Sequence, residues 1–149
     1  MIAAGRRNYV IDASVILKWF SRAGESDLDK SIRLREDYRL RNIDLYAPEL
    51  LIYEIANVLR YKKILNEDTI HRAIQSIYDM DILLPVNPGA MNHAVTLARQ
   101  FHITVYDSTY LSFAQSAGCH LITADKKLYQ KIEALPGVVF MSDYVPEKK

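Results

Sequence analysis

Two periodicities of hydrophobic and polar positions run through the chain. Short stretches rich in β-branched and aromatic residues are typical of buried strands, and five occur: "NYVI", "IDLYAP", "DILLPV", "CHLIT" and "GVVFM". Between them, apolar residues recur every three or four positions, which is the spacing of amphipathic helices. Strands that alternate with helices in this way indicate a parallel sheet covered on both faces. The pattern therefore predicts the α/β fold class.

Local signals place the ends of the predicted helices. Asn66 is a capping residue before a stretch with helical spacing, and Gly118 closes a helix that runs from about Thr104 to Ser116. Pro48 suits the first turn of the helix that follows the second strand. A further helix is predicted to begin near Ser14. Three others are predicted to cover "DLDKSIRLREDYRLRN", "GAMNHAVTLARQF" and "ADKKLYQKIEAL".

Glu54 interrupts the otherwise apolar helix "LLIYEIANVL". It shares one helical stripe with three apolar residues, so its side chain is expected to face inward with Leu51, Ile55 and Val58. Burying an unpaired charge costs several kcal/mol, and no basic residue lies three or four positions away to pair with it. The carboxylate is therefore expected to need a proton, a partner or a metal ion.

Three other acids stand at prominent positions, and each has a simple structural explanation. Asp12 follows the first strand and can support the turn there, Asp107 can form a capping box with Thr104, and Asp125 can cap the helix after it. Asp12 and Asp125 also fall at the carboxyl edge of the predicted sheet, where ligands of such folds bind. Together with Glu54, these acids favour one shared site over four separate roles.

A cluster of carboxylate oxygens selects hard divalent cations such as Mg²⁺ or Mn²⁺. Two such ions can activate a water molecule and stabilise the leaving oxygen of a phosphodiester. Ser14 and Thr123 each lie two residues from an acid, so their hydroxyls could orient ligands or the attacking water, or could act only as capping and turn groups. A zinc site is not supported, because there is one cysteine and no paired histidine spacing.

Four motifs, "VIDASVILKWF", "YEIANVL", "VYDSTYLSFA" and "LITADKKL", resemble in order and spacing the PIN-domain ribonucleases, specifically the VapC-type toxins of toxin-antitoxin pairs. The resemblance covers nearly the whole chain. It implies a three-layer α/β/α sandwich with a central, mainly parallel sheet, which gathers acids around one or two Mg²⁺ or Mn²⁺ ions and cuts RNA. It places the metal-binding and catalytic acids at Asp12, Glu54, Asp107 and Asp125, and the supporting polar residues at Ser14, Asn57 and Thr123.

The resemblance also implies a biological setting: a metal-dependent endoribonuclease that acts as a toxin, forms a homodimer and is occluded by a cognate antitoxin. Composition fits this setting. The 149 residues are expected to form a single domain over 1–149. The lone Cys119 excludes an internal disulfide, the first residues lack the apolar core of a secretory signal, and no apolar run could span a bilayer. We therefore expect a soluble cytoplasmic protein without a membrane partner.

Two other functions stay open at this point. A phospho-accepting receiver module also places acids at strand ends and binds Mg²⁺. It needs a lysine at the end of a late strand, which "DILLPVNP" and "GVVFMSDY" do not supply, and it gives Glu54 no role. The other alternative is a PIN fold that binds RNA without cutting it, which the complete set of four acids disfavours.

Overall fold

The computed structural model describes residues 5–20 and 26–146. Strands in these residues form one sheet, and the strands are β1 (Arg7–Ile11), β2 (Ile43–Pro48), β3 (Leu83–Leu84), β4 (His120–Thr123) and β5 (Val138–Phe140). All neighbouring strands pair in parallel, in the order β3-β2-β1-β4-β5. The predicted parallel sheet is confirmed. The first strand, β1, lies in the middle of the sheet, with β2 and β3 on one side of it and β4 and β5 on the other, so the strand order reverses between β1 and β4.

Helices flank this sheet as the alternating pattern predicts. The described residues contain α1 (Ala13–Trp19), α2 (Leu28–Arg39), α3 (Leu50–Leu59), α4 (Glu67–Asp79), α5 (Pro88–Phe101), α6 (Val105–Ala117), α7 (Lys126–Ile132) and a 3₁₀ turn (Met141–Asp143). Helix α6 contacts β1, β2 and β4, and α5 packs on α6. The result is the expected α/β/α arrangement. Within residues 5–20 and 26–146, no helix is long and apolar enough to cross a membrane.

Local capping signals predicted several helix ends correctly. The Asn66 side chain accepts a hydrogen bond from the Thr69 amide at 2.8 Å, and Thr104 Oγ1 accepts one from the Asp107 amide at 3.0 Å. Gly118 ends α6 in the left-handed conformation, with φ of 65°. These ends depend on contacts between residues close in sequence, so a reading of the sequence can find them.

Elements that depend on distant contacts differ from the prediction. Strand β3 has only two residues because it is an edge strand and Pro85 follows it directly. Helix α7 ends at Ile132 rather than near Leu135, since a residue before a proline, here Pro136, disfavours helical conformation.

Pro48 ends β2, so its predicted place in the first turn of the next helix is wrong. The residues on either side of it donate to the neighbouring strand region: Ala47 N to Ile82 O at 2.9 Å and Glu49 N to Leu84 O at 3.0 Å. Donors on this edge are needed only at alternate residues, and a proline fits the position between two of them.

The buried stripe of α3 is rotated from the predicted one. It consists of Leu51, Ile52, Ile55 and Leu59. Val58, which was expected to be buried, is 37% exposed. Glu54 therefore lies at the edge of the apolar stripe, half-buried, with its head group turned to the carboxyl end of the sheet rather than into the core. The expectation that Glu54 faces straight inward is corrected accordingly.

Candidate active site

The carboxyl ends of β1 and β4 lie side by side where the strand order reverses, which is the usual ligand position of such sheets. A pocket of about 230 Å³ opens there, and all four predicted acids line it: Asp12, Glu54, Asp107 and Asp125. An apolar groove of about 520 Å³ elsewhere is larger, but its lining includes only one acid, Glu36. Chemistry rather than size therefore identifies the candidate site.

Asp12 is the most buried of the four acids, with 5% of its surface exposed. It caps α1 by accepting a hydrogen bond from the Val15 amide at 3.3 Å. Its carboxylate also accepts hydrogen bonds from Ser14 Oγ and, at 2.5 Å, from Thr123 Oγ1. Burial raises the pKa of Asp12 from 3.8 to about 6, although these hydrogen bonds oppose the increase. The carboxylate is therefore fixed in orientation but poorly stabilised as an anion.

Ser14 and Thr123 join the ends of the two central strands around Asp12. Ser14 Oγ accepts a hydrogen bond from the Ala124 amide at 2.8 Å and lies 3.3 Å from Thr123 Oγ1. Thr123 Oγ1 in turn accepts one from the Asp125 amide at 3.1 Å. Both hydroxyls contact the Asp12 carboxylate, so their geometry fits the supporting role predicted for them.

Glu54 Oε1 is buried and makes no hydrogen bond within the described part of the chain. Burial raises the pKa of Glu54, and the charge of Asp107 raises it further. The Tyr110 hydroxyl is close enough to oppose this increase, yet the two groups do not meet in ordinary hydrogen-bond geometry. A buried carboxylate oxygen without a donor favours binding of a cation or a proton.

Asp107 and Asp125 combine pocket positions with local structural roles. Asp125 Oδ1 caps α7 by accepting a hydrogen bond from the Leu128 amide at 3.0 Å, as its simpler explanation predicted. Burial raises the pKa of Asp107, and the charge of Asp125 adds to this effect, whereas Thr104 and Lys131 oppose it. The carboxylates of both residues nevertheless line the pocket. A capping role therefore does not remove either acid from the site.

Asn57 lies on the exposed side of α3 and also lines the pocket. Its Oδ1 accepts a hydrogen bond from Arg60 Nε at 3.0 Å, and the Arg60 guanidinium lies 4.0 Å from the centre of the Tyr61 ring. Arg60, which follows α3 and is the basic residue closest to Glu54 in the sequence, thus contacts Asn57 and Tyr61 instead. In residues 5–20 and 26–146, no salt bridge involves any of the four acids.

Tyr110 also lines the pocket, although it was not predicted from the sequence. A tyrosine in the apolar part of a helix is typical of a core position, and this one is indeed only 1% exposed. The signal that could have found it is its spacing of three residues from Asp107, which places both side chains on one face of α6.

The carboxylate oxygens of the pocket fit a hard divalent cation, although they do not form a complete coordination sphere. Within the described ranges, no three acidic, histidine or cysteine side chains converge closely enough to hold an ion by themselves. Mg²⁺, however, keeps several of its waters and binds through one or two carboxylates. Burial raises the pKa of both Asp12 and Glu54, and a bound cation would offset this cost of their charges.

The PIN domain family model matches residues 9–134, and the chain belongs to the PIN domain family. It is similar to Ribonuclease VapC3 of Pyrobaculum aerophilum, with 31% identity over 97 residues, which cover 62% of this chain and 74% of that protein. The resemblance drawn from the four motifs is thereby confirmed. Membership of this family leaves the receiver-type alternative without support.

Two structures illustrate the shared fold. PAE2754 from Pyrobaculum aerophilum superposes with a TM-score of 0.66 and 22% identity, over 94% of this chain and 93% of that one. VapBC-1 from nontypeable Haemophilus influenzae gives a TM-score of 0.66 and 19% identity, over 91% of this chain and 98% of that one. At these identities the likeness establishes the fold alone.

Proposed function

We propose that this protein is a Mg²⁺- or Mn²⁺-dependent endoribonuclease that acts as the toxin of a toxin-antitoxin pair. The observation that carries the proposal is the meeting of four acids, none of which forms a salt bridge among the described residues, in one pocket at the carboxyl ends of β1 and β4. The PIN family and the relative named as a ribonuclease support RNA as the substrate. A toxin-antitoxin complex from Klebsiella pneumoniae shares the fold, with a TM-score of 0.63 and 14% identity, and supports an antitoxin partner.

In the proposed site, the residues that would hold the ion are Asp12, Glu54, Asp107 and Asp125. When bound, a divalent cation supplies charge neutralisation and Lewis acidity at a phosphodiester. Asp12 is held in place for this by the Ser14 and Thr123 hydroxyls. Because its pKa is about 6, a fraction of Asp12 carries a proton near neutral pH in the ion-free site, and it must release that proton to act as a ligand.

Basic side chains adjoin the acid pocket and suit the RNA backbone. A neighbouring cavity of about 250 Å³ shares Asp107 and Asp125 with it and is also lined by Lys127 and Lys131. The Lys131 ammonium is held near this cavity by a hydrogen bond to the His102 carbonyl at 2.9 Å. Lysines next to a phosphodiester-cleaving site contribute affinity that falls as the salt concentration rises. This arrangement supports a polyanionic substrate.

The remaining features of the proposal follow the family resemblance. We propose a single PIN-like domain over residues 1–149, a homodimer, and a cytoplasmic setting. The buried free thiol of Cys119 fits a reducing compartment.

The proposal is tested by incubating the protein with a mixed RNA pool, with Mn²⁺ or with EDTA. Cleavage is expected only with Mn²⁺, and Glu54→Gln should abolish it without loss of the circular dichroism signal, since the amide keeps the shape but loses the charge. Glu49→Gln, the same change outside the pocket, is the matched control and should cleave normally. Metal-independent cleavage, or RNA binding without any cleavage, would contradict the proposal. Unfolding of Glu54→Gln would mean that Glu54 is structural.

A further inference from the structure

Tyr110 places an unpaired hydroxyl group inside the acid pocket. It lies on α6, is 1% exposed, and lines the pocket, yet its hydroxyl has no hydrogen-bond partner in the part of the chain that the structure describes. A phenylalanine would fill the same space without burying an unsatisfied polar atom, which costs free energy. The hydroxyl is therefore a feature that packing of the ring does not explain.

The group that faces this hydroxyl is also unpaired. Glu54 Oε1 is buried without a donor, and the two side chains are close enough that each affects the pKa of the other. Burial raises the pKa of Tyr110, and so do the charges of three pocket acids, namely Glu54, Asp12 and Asp107. The phenol thus keeps its proton and can act as a hydrogen-bond donor among groups that, when ionised, can only accept.

We propose that Tyr110 is a positioning residue: when a divalent cation binds, the Tyr110 hydroxyl donates a hydrogen bond to Glu54 and holds that carboxylate in the orientation that binds the ion. The inference rests on the proposed function, because it assigns Glu54 to the ion. With one oxygen held by Tyr110, the carboxylate presents its other oxygen to the pocket. Groups that orient a metal ligand in this way typically contribute about 10-fold or more to metal affinity.

Tyr144 supplies a matched control in the same chain. It is buried to a similar extent, at 2% exposure, but its hydroxyl donates to Asp37 Oδ2 at 2.6 Å, away from the acid pocket. Tyr144→Phe removes a satisfied structural hydrogen bond, whereas Tyr110→Phe removes an unsatisfied hydroxyl. The two substitutions are chemically identical and are expected to have opposite effects.

The first test is calorimetric titration of the full chain with MnCl₂, combined with thermal unfolding in EDTA. Tyr110→Phe should bind Mn²⁺ about 10-fold more weakly than wild type, without a lower melting temperature in EDTA. Tyr144→Phe should bind Mn²⁺ normally and melt at a lower temperature. Unchanged Mn²⁺ affinity in Tyr110→Phe would overturn the inference and leave the proposed function intact. A wild-type protein that does not bind Mn²⁺ would overturn both.

A spectroscopic test separates positioning from a general structural role. With ¹³Cζ-labelled tyrosine, the Tyr110 signal is assigned as the one missing from Tyr110→Phe. Glu54→Gln should shift this signal more than those of the other nine tyrosines, because it removes the charged acceptor. A Tyr110 signal that is indifferent to Glu54→Gln would overturn the inference.

Discussion

Asp37 and Asp12 are both buried carboxylates, at 0% and 5% exposure, but their surroundings are opposite. Asp37 accepts a hydrogen bond from the Tyr144 hydroxyl at 2.6 Å, and Arg33 Nε lies 3.3 Å from its Oδ1. Asp12 has hydroxyl and amide donors but no basic partner among the described residues, and it shares a pocket with three further acids. A buried charge with a counter-ion is explained by the fold, whereas one without a counter-ion indicates a ligand.

The Asp37 cluster has a clear structural purpose. Tyr144 follows the 3₁₀ turn after β5, and its carbonyl also accepts a hydrogen bond from Lys30 Nζ at 2.7 Å. Asp37 and Lys30 both belong to α2, so these contacts fasten the segment after the last strand to that helix. The cluster around Asp37 therefore stabilises the fold, whereas the acid pocket around Asp12 buries charge at a cost in stability.

The largest stability effect is expected from breaking the satisfied cluster. Asp37→Ala should lower the free energy of unfolding by about 3 kcal/mol, at the lower end for a broken buried pair because Arg33 is partly exposed. Urea denaturation measures this loss, and Asp29→Ala on the exposed side of α2 is the control, expected to change stability by about 0.5 kcal/mol or less. Mn²⁺ affinity should stay unchanged. A loss below about 1 kcal/mol would remove the contrast between the clusters.

The pH dependence of stability tests the second carboxylate of the comparison, Asp12. Asp12 has a pKa of about 6 in the folded protein and an ordinary value near 3.9 when unfolded, so the folded state binds more protons between these pH values. In EDTA, the contribution of Asp12 to the free energy of unfolding should therefore fall by about 2 kcal/mol from pH 4 to pH 7. Urea denaturation across this range should show the fall in wild type relative to Asp12→Asn. Parallel profiles of the two proteins would contradict the unfavourable burial of the Asp12 charge.

The smallest effect concerns Asp125, which combines a structural and a site role. Asp125→Ala removes the cap of α7 and should cost about 1 kcal/mol, whereas Asp125→Asn keeps an acceptor for the Leu128 amide and should cost much less. Both variants should bind Mn²⁺ more weakly, as calorimetric titration would show. If only the alanine variant loses Mn²⁺ affinity, Asp125 acts as a cap alone.

The sequence predicted those features that local contacts determine. The Thr104 cap and the Gly118 terminus of α6 involve neighbours along the chain, and alternation of strands and helices was sufficient to predict a parallel sheet. The length of β3 and the strand position of Pro48 depend on pairing with distant residues, which no local pattern records.

The candidate site shows the same division. Asp12 and Asp125 could be selected because they follow strands, Glu54 because it interrupts an apolar helix, and Asp107 because it lies in one of the four motifs of the resemblance. The structure brings all four to one pocket, although their catalytic roles stay a prediction. Tyr110 was missed because a tyrosine ring in a buried helix is explained by packing alone. Only the tertiary neighbours reveal that its hydroxyl faces Glu54 without a hydrogen bond.

The most direct test of the central claim, that the acid pocket binds a divalent cation, is thermal unfolding of wild type and Asp12→Asn with EDTA and with Mn²⁺. Mn²⁺ at about a hundred times its dissociation constant should stabilise wild type by about 2.7 kcal/mol. Asp12→Asn should be at least as stable as wild type in EDTA at neutral pH and should gain less from Mn²⁺. A less stable Asp12→Asn in EDTA, with both proteins indifferent to Mn²⁺, would show that Asp12 only caps α1 and would contradict the metal site.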